Sequence, residues 1–315
     1  MRVLLALGGN AMTGPDGSAT PEAQIAAVTG AMAAAARLVA AGHELVVTHG
    51  NGPQVGNLLV KNELAAHVVP PVPLDWCGAQ TQGTLGFTIL DALDGALADA
   101  GLTHPVAALV TRVLVDRGDP GFEHRTKPIG RFLPPEDARR MVEHGQTWED
   151  RGEKGWRRVV ASPEPLEVLD VAAARTLLDA GYVVVSSGGG GIPVVRGADS
   201  VLRGVEAVVD KDLTAAVLAR AVAADVLVVA TDVDHAAVGF GTAQHRDLGR
   251  VALAELRAIA DAGEFASGSM GPKVEAVCRF VAAGGSRGVI TSLTHITDAV
   301  AGSIGTVVEP DPTPT

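Results

Sequence analysis

Four apolar runs in this chain each break into glycine or a polar turn: Val3-Leu-Leu-Ala-Leu-Gly-Gly-Asn10, Leu45-Val-Val-Thr-His-Gly-Asn-Gly52, Val183-Val-Val-Ser-Ser-Gly-Gly-Gly-Gly191 and Val226-Leu-Val-Val-Ala-Thr-Asp-Val-Asp234, the last running on to Gly239-Phe-Gly241. A short β-branched run without alternation reads as a strand buried on both faces, as in a parallel sheet. Between these runs lie Ala- and Leu-rich stretches of helical length. The pattern predicts strands at 3–7, 44–48, 106–112, 182–187, 205–209, 225–230, 288–291 and 305–309. It predicts helices at 22–41, 53–66, 75–99, 170–180, 212–223, 252–261 and 272–283. Alternation of this kind gives an α/β fold: a three-layer α-β-α sandwich around a mainly parallel open sheet of about eight strands.

Residues 114–165 break the pattern. They are polar, charged and rich in Pro and Gly, and they hold two of the three tryptophans, Trp148 and Trp156. This stretch reads as an inserted flap over the sheet edge, with the indoles, Phe122, Phe132, Val159 and Val160 as apolar anchors. The whole chain, 1–315, reads as one domain: an N-terminal portion (residues 1–113), the flap (114–165) and a C-terminal portion (166–315).

Ligands of open α/β sheets sit beyond the carboxyl ends of the strands. Glycine there lets backbone N–H groups approach an anion, because no Cβ intervenes. Several such turns on one edge suggest two anionic sites facing each other, which is the geometry of phosphoryl transfer. A single Gly-Gly turn would carry no such meaning, and Asn10 and Asn51 would look the same as local turn-formers.

Composition narrows the partners. The formal net charge is −11, which argues against a broad nucleic-acid-binding surface. No apolar stretch reads as a signal peptide or a membrane span, and Cys77 and Cys278 form no CxxC or zinc spacing, so a cytoplasmic protein with free thiols is expected. Neither G-x-G-x-x-G nor G-x-x-x-x-G-K-[ST] occurs. Gly284-Gly-Ser-Arg-Gly288 fits G-x-S-x-G but leads from a helix into a strand, so it is a helix-ending turn and not a nucleophile elbow.

Of the 25 basic residues only five are lysines: Lys61, Lys127, Lys154, Lys211 and Lys273. In so Arg-biased a chain, a lysine inside a distinctive turn marks a need for a compact ammonium. Lys127 (in Thr-Lys-Pro-Ile-Gly), Lys211 (in Asp-Lys-Asp) and Lys273 (after Met-Gly-Pro) meet that description, whereas Lys61 and Lys154 read as solvated surface. Charge on a phosphoryl group in flight is what such lysines would neutralise. Asp212 reads as a helix cap, as a carboxylate orienting the lysines and (through water) Mg²⁺, or as both. Asp232 and Asp234 are turn-formers or nucleotide contacts. His49 reads as a buried, satisfied histidine.

Taken in order, several segments resemble the carbamate kinase branch of the amino acid kinase family: Leu5-Ala-Leu-Gly-Gly-Asn10, Thr48-His-Gly-Asn-Gly-Pro-Gln-Val-Gly56, Leu74-Asp-Trp-Cys-Gly-Ala-Gln-Thr-Gln-Gly83, Thr126-Lys-Pro-Ile-Gly130, Gly155-Trp-Arg-Arg-Val-Val160, Ser187-Gly-Gly-Gly-Gly-Ile-Pro193, Gly204-Val-Glu-Ala-Val-Val-Asp-Lys-Asp212, Thr231-Asp-Val-Asp234 and Gly268-Ser-Met-Gly-Pro-Lys-Val-Glu275. The resemblance implies reversible phosphoryl transfer between ATP and carbamate, giving ADP and carbamoyl phosphate, with Mg²⁺, in a homodimer. It implies catalytic roles for Lys127, Lys211, Asp212 and Lys273. It also implies substrate binding by Gly8, Gly9, Asn10, Gly50, Asn51 and Gly52, and nucleotide binding by Gly188, Gly189, Thr231, Asp232, Phe240, Met270 and Gly271. No protein ligand set for the metal is implied, the ion being held by nucleotide phosphates and water. The alternatives are a sister kinase acting on another small acid or phosphate, and a catalytically silent ligand sensor. The chain departs from the family at His235, Ala237 and Gly239 near the expected nucleotide, and at Trp76 on the helix expected to face a partner subunit.

Overall fold

A computed structural model describes residues 1–14, 17, 20–143, 145–265 and 270–312, with Asn10 described by its backbone alone. The central sheet has eight strands, numbered here in chain order: β1 Arg2–Leu7, β2 Glu44–His49, β3 Val106–Ala108, β4 Val183–Val185, β5 Val226–Thr231, β6 Arg250–Ala252, β7 Arg287–Ser292 and β8 Thr306–Glu309. Their spatial order is β6-β8-β7-β5-β1-β2-β4-β3. All neighbours run parallel except β7 and β8.

The helices are α1 Pro21–Ala40, α2 Gly52–Ala65, α3 Leu74–Asp99, α4 Pro135–Glu143, α5 Val171–Asp179, α6 Lys211–Ala221, α7 Leu253–Asp261, α8 Met270–Ala282 and α9 Ile296–Val300. Successive side chains of a strand point to opposite faces, and the two faces carry separate cores. Val3, Leu5 and Leu7 of β1 join α1, α3 and α9 on one side. Leu4 and Ala6 join α5, α6, α7 and α8 on the other. This is the α/β sandwich that the uninterrupted Val/Leu runs predict.

Helix α1 belongs to the core. With a mean hydropathy of 1.4 it is long and apolar enough to cross a membrane by length and composition. It nevertheless buries Val28, Met32, Ala35, Leu38 and Val39, and packs along α3.

Two strand assignments differ. The predicted strand 106–112 divides into β3 and the separate strand Arg112–Leu114, which belongs to a four-stranded sheet with Leu202–Gly204, Ile192–Arg196 and Glu167–Val168. The division falls at Thr111, whose N–H donates to Gln82 Oε1 at 2.8 Å and whose carbonyl accepts from Gln82 Nε2 at 3.2 Å. A side chain from α3 thus takes the Thr111 N–H that a continuous ladder would use, and shares its carbonyl with the backbone N–H of Ile192, which opens the second sheet. Residues 205–209, also read as a strand, make only the isolated bridge of Ala207 to Ala161. They line the cleft described below with Ala207, Val208 and Val209, and the hairpin falls instead on Ile192–Arg196 and Leu202–Gly204.

Within 114–165 the chain forms a three-stranded antiparallel sheet, Lys127–Leu133, Trp156–Val160 and Trp148–Asp150 in spatial order, with α4. Trp148 is buried with Leu133, Ala138, Met141 and Trp156. Val160 packs with Val55, Leu59, Leu74 and Cys77 from the body, and Phe122 packs against the core on the α6 side. Phe132 is partly exposed, with the Arg157 guanidinium 5.1 Å from its ring centroid, so it makes a cation–π contact and no buried anchor.

The turn after β4 shows why four glycines run together. Gly189, Gly190 and Gly191 have φ of 67°, 89° and 85°. A Cβ on Gly188 would stand 2.3 Å from His49 Nε2, one on Gly190 2.4 Å from the Val209 carbonyl oxygen, and one on Gly191 2.2 Å from Val113. Gly190→Ala combines a left-handed backbone with a clash against main chain, so we expect a loss of about 2 kcal/mol or more in urea unfolding. Gly9→Ala, where a Cβ has open space, should leave the unfolding midpoint unchanged.

Candidate functional site

The turns that follow β1, β2, β4 and β5 lie at the carboxyl edge of the sheet. Strand β1 delivers Gly8 and Gly9, β2 delivers Gly50, Asn51 and Gly52, and β5 delivers Thr231 and Asp232. Together with the flap and the first turns of α2, α6 and α8 they surround a cleft of about 1450 Å³. Gly50 and Gly9 touch backbone to backbone: a Cβ on Gly50 would lie 3.0 Å from Gly9 Cα. The first two turns are therefore one continuous floor.

Lys127, Lys211, Asp212 and Lys273 all line this cleft. Asp212 is buried, with one carboxylate oxygen bound by the Lys211 ammonium and the other by Lys273 Nζ at 2.9 Å. Burial alone would raise the Asp212 pKa, but the two ammoniums hold it below the usual carboxylate range. Burial, reinforced by the nearby Lys273 charge, lowers the Lys211 pKa against the opposing pull of Asp212.

Asp212 is not the helix cap. That role belongs to Asp210, whose Oδ1 accepts the backbone N–H groups of Asp212 at 2.9 Å and Leu213 at 3.3 Å. Lys61 and Lys154 are exposed.

Among the described residues four ion pairs tie the flap to the body. In three the cation is the flap's: Lys127 Nζ to Asp210 at 3.3 Å, Arg131 Nε to Glu63 at 3.1 Å, and Arg158 to Glu206 at 2.8 Å; in the fourth the flap's Glu164 meets Arg279 of α8. The flap strand bulges between Ile129 and Phe132, with Gly130 at φ 65°. The two extra residues, Gly130 and Arg131, lie on the cleft wall together with Arg157. Neither arginine stands out in a sequence with twenty of them.

Below the floor, buried amide and hydroxyl groups fix the turns. Asn51 Nδ2 donates to Thr81 Oγ1 at 2.8 Å, Gln82 Nε2 to the Gly188 carbonyl at 2.9 Å, and Thr48 Oγ1 to the Ser187 carbonyl at 3.0 Å. Asn51 thus has a structural partner, and its amide also borders the cleft. Gln82, Thr81 and Thr111 carry no sequence signal, because their partners are distant in the chain.

His49 is fully buried beneath the cleft, its Nδ1 donating to the Gly50 carbonyl at 3.0 Å. Burial, with a smaller push from Lys211, lowers its pKa to about 4, against the Gly50 hydrogen bond. The unfolded chain, with an ordinary pKa of about 6.5, takes up that proton first. The stability contributed by neutral His49 is therefore complete above pH ~6.5 and is lost as pH falls toward about 4. Unfolding free energy should drop there with a His49 share of up to ~1.4 kcal/mol per pH unit, absent in His49→Asn.

Of the other residues named from sequence, Gly8, Gly9, Gly50, Gly52, Gly189, Thr231 and Asp232 line the cleft. Gly188, Phe240, Met270 and Gly271 are not among the lining residues. Gly188 is buried beneath the floor, Met270 packs on the core, and Phe240 is exposed with its ring 5.8 Å from His245. Ala237 is buried, pairing in a short ladder with Asp247. The Asn10 side chain and residues 266–269 lie outside the described residues.

The described lining includes no histidine, and its carboxylates already face ammoniums (Asp210 and Asp212) or stand exposed (Asp232). Among the described residues no group of three His, Cys, Asp or Glu is placed to cage a metal. The donor set suits a divalent ion that arrives on nucleotide phosphates and keeps its waters. Chemically, the arrangement offers backbone N–H groups on one side, three ammoniums around the centre and flap guanidiniums above: a place for two anions held face to face.

Comparison with known proteins agrees with that chemistry. The sequence model of the amino acid kinase family matches residues 1–292. The carbamate kinase of Pyrococcus furiosus is 40% identical over 312 residues, spanning 98% of this chain and 99% of its own. That of Thermococcus kodakarensis is 42% identical over 311 residues, 98% of each chain. Among solved structures, the carbamate kinase of Giardia lamblia bound to AMP-PNP superposes with a TM-score of 0.94 at 38% identity, covering 98% of both chains.

Proposed function

The chain belongs to the amino acid kinase family, and from that premise we propose that it catalyses reversible phosphoryl transfer between ATP and carbamate, giving ADP and carbamoyl phosphate. The observation that carries this reading is the convergence of Lys127, Lys211 and Lys273 on one cleft, around a buried Asp212, in a chain about 40% identical to carbamate kinases from end to end.

Carbamate already bears its negative charge, so its oxygen attacks the γ-phosphorus without a general base, as the P–O bond to ADP breaks. The demand on the protein is to hold two anions in line and to neutralise charge as it spreads over the phosphoryl oxygens. In this reading Gly9 and Gly52 offer N–H groups to the acceptor and transferred phosphate, while Gly8 and Gly50, whose N–H groups are held by the Ala230 and Leu7 carbonyls, allow close approach. Asn10 and Asn51 are assigned to the same side. Lys211 and Lys273 flank the moving phosphoryl group, and Asp212 holds and aims both ammoniums. Lys127 completes the ring from the flap, whose closure excludes water.

Nucleotide contacts are assigned to Gly189, Thr231 and Asp232 on the cleft wall, with Gly188 supporting them from below. Phe240, Met270 and Gly271 are assigned to the outer nucleotide edge. Mg²⁺ supplies charge neutralisation on the nucleotide phosphates, and this chain's share is to receive it with its waters.

A cytoplasmic homodimer completes the proposal. Its support is the pair of buried free thiols, Cys77 and Cys278, and the exposure of Trp76 and Phe87 on α3. The 114–165 insertion is read as the flap subdomain of a single 1–315 domain, with the acceptor on the 1–113 side and the nucleotide on the 166–315 side.

The test is to supply purified protein with Mg²⁺, ADP and carbamoyl phosphate and follow ATP through a coupled assay. Rapid ATP formation, lost in Lys211→Ala, is expected. Folded protein that forms no ATP above background, yet phosphorylates another small acid, would transfer the assignment to a sister activity.

A further inference from the structure

The Asp210 carboxylate serves two structures at once. Its Oδ1 caps α6 by accepting from Asp212 N and Leu213 N, while its Oδ2 accepts from Lys127 Nζ at 3.3 Å. Capping does not require the charge, since asparagine caps a helix as well as aspartate does. An extra anion bordering a cleft for anionic ligands is, on its own, electrostatically adverse. The charge therefore has a second use. Lys127 begins the flap strand, is far more exposed than Lys211 or Lys273, and has Asp210 as its ion-pair partner. Through that partner the flap's ammonium is brought to the helix N-terminus that carries Lys211 and Asp212.

We propose that Asp210 is a positioning residue for phosphoryl transfer, holding Lys127 over the cleft in register with Lys211 before the anions arrive. When substrate enters, the Lys127 ammonium exchanges the Asp210 carboxylate for a phosphoryl oxygen, without having to be recruited from solvent. This inference rests on the phosphoryl-transfer reading above.

The experiment compares full-length Asp210→Asn, Lys127→Ala and the double variant in the ADP and carbamoyl phosphate assay, alongside urea unfolding. Asp210→Asn should unfold at the wild-type midpoint, because the cap is kept. Its kcat should fall roughly ten- to hundredfold, the scale of a misplaced catalytic group, with KM for ADP little changed. In the Lys127→Ala background the same substitution should cause no further loss, because the group through which Asp210 acts is gone. Asp210→Ala should lose stability as well as rate. A wild-type kcat in Asp210→Asn, or an equal loss with and without Lys127, overturns the proposal. If wild-type protein makes no ATP at all, it is the reaction assignment that fails, and the flap itself then reports on Asp210. Faster proteolytic cleavage within 117–155 in ligand-free Asp210→Asn supports the tether, and unchanged cleavage overturns it.

Discussion

Asp212→Ala is expected to cost about 3–5 kcal/mol of folding stability and to remove measurable turnover, because it strips the counter-charge from two ammoniums at once. Asp212 is 5% exposed, and both of its oxygens are taken by Lys211 and Lys273. Without it, two largely buried cations would face each other across a cavity. One of them would have to shed its proton or turn to solvent, and the geometry around the phosphoryl position would go with it. Asp212→Asn separates charge from shape: it should lose nearly as much activity while refilling the space. Urea unfolding and the coupled assay, run on both variants, check this. A stable, active Asp212→Ala would mean that the lysines find other anions and that Asp212 does not organise them. The carboxylate also sets an acid limit. Its pKa is depressed in the fold, so its contribution is complete above an ordinary aspartate pKa of about 3.9 and disappears as pH falls through the lower folded value.

Lys273→Ala is expected to lower kcat by about 10²–10³-fold, the usual cost of deleting one preorganised electrostatic group, while changing KM for ADP far less. Lys273 stands in the first turn of α8 directly after Pro272, a residue suited to a helix start. Its side chain is 14% exposed, and Asp212 fixes its ammonium on the cleft wall. A cation anchored so tightly is poorly placed to follow a flexible ligand and well placed to meet charge that develops at one point. Steady-state kinetics with ADP and carbamoyl phosphate varied separately give the split. Parallel losses in nucleotide affinity and rate would make Lys273 a ground-state contact.

The layers of the fold were legible because the central strands are buried on both faces. Val3–Leu7 and Val226–Ala230 have almost no polar positions, and only a parallel sheet with helices on each side accommodates that. The lysines were legible by contrast, being five against twenty arginines. What escaped was long-range side-chain bonding. Nothing near Thr111 in the sequence announces that Gln82 will take its N–H and stop a strand there. Asp210 was missed for a smaller reason: with the helix read from 212, the acid at that first position, Asp212, is given the capping role that belongs to Asp210 two residues earlier. Val205–Val209 has strand composition, but its side chains fill a cleft wall, and hydrophobicity alone does not tell a ladder from a lining.

The distribution of charge across the flap root has a consequence for engineering. Lys127, Arg131 and Arg158 travel with the flap, but Asp210, Glu63 and Glu206 belong to the body, from segments on either side of it in the chain. The flap is thus one half of a matched key. A chimera that imports a relative's 114–165 segment acquires the teeth without the lock unless those three acids, and Arg279 as the partner of the flap's Glu164, come too. Exchange of substrate range by flap grafting should succeed only when those four body residues are transferred with the flap.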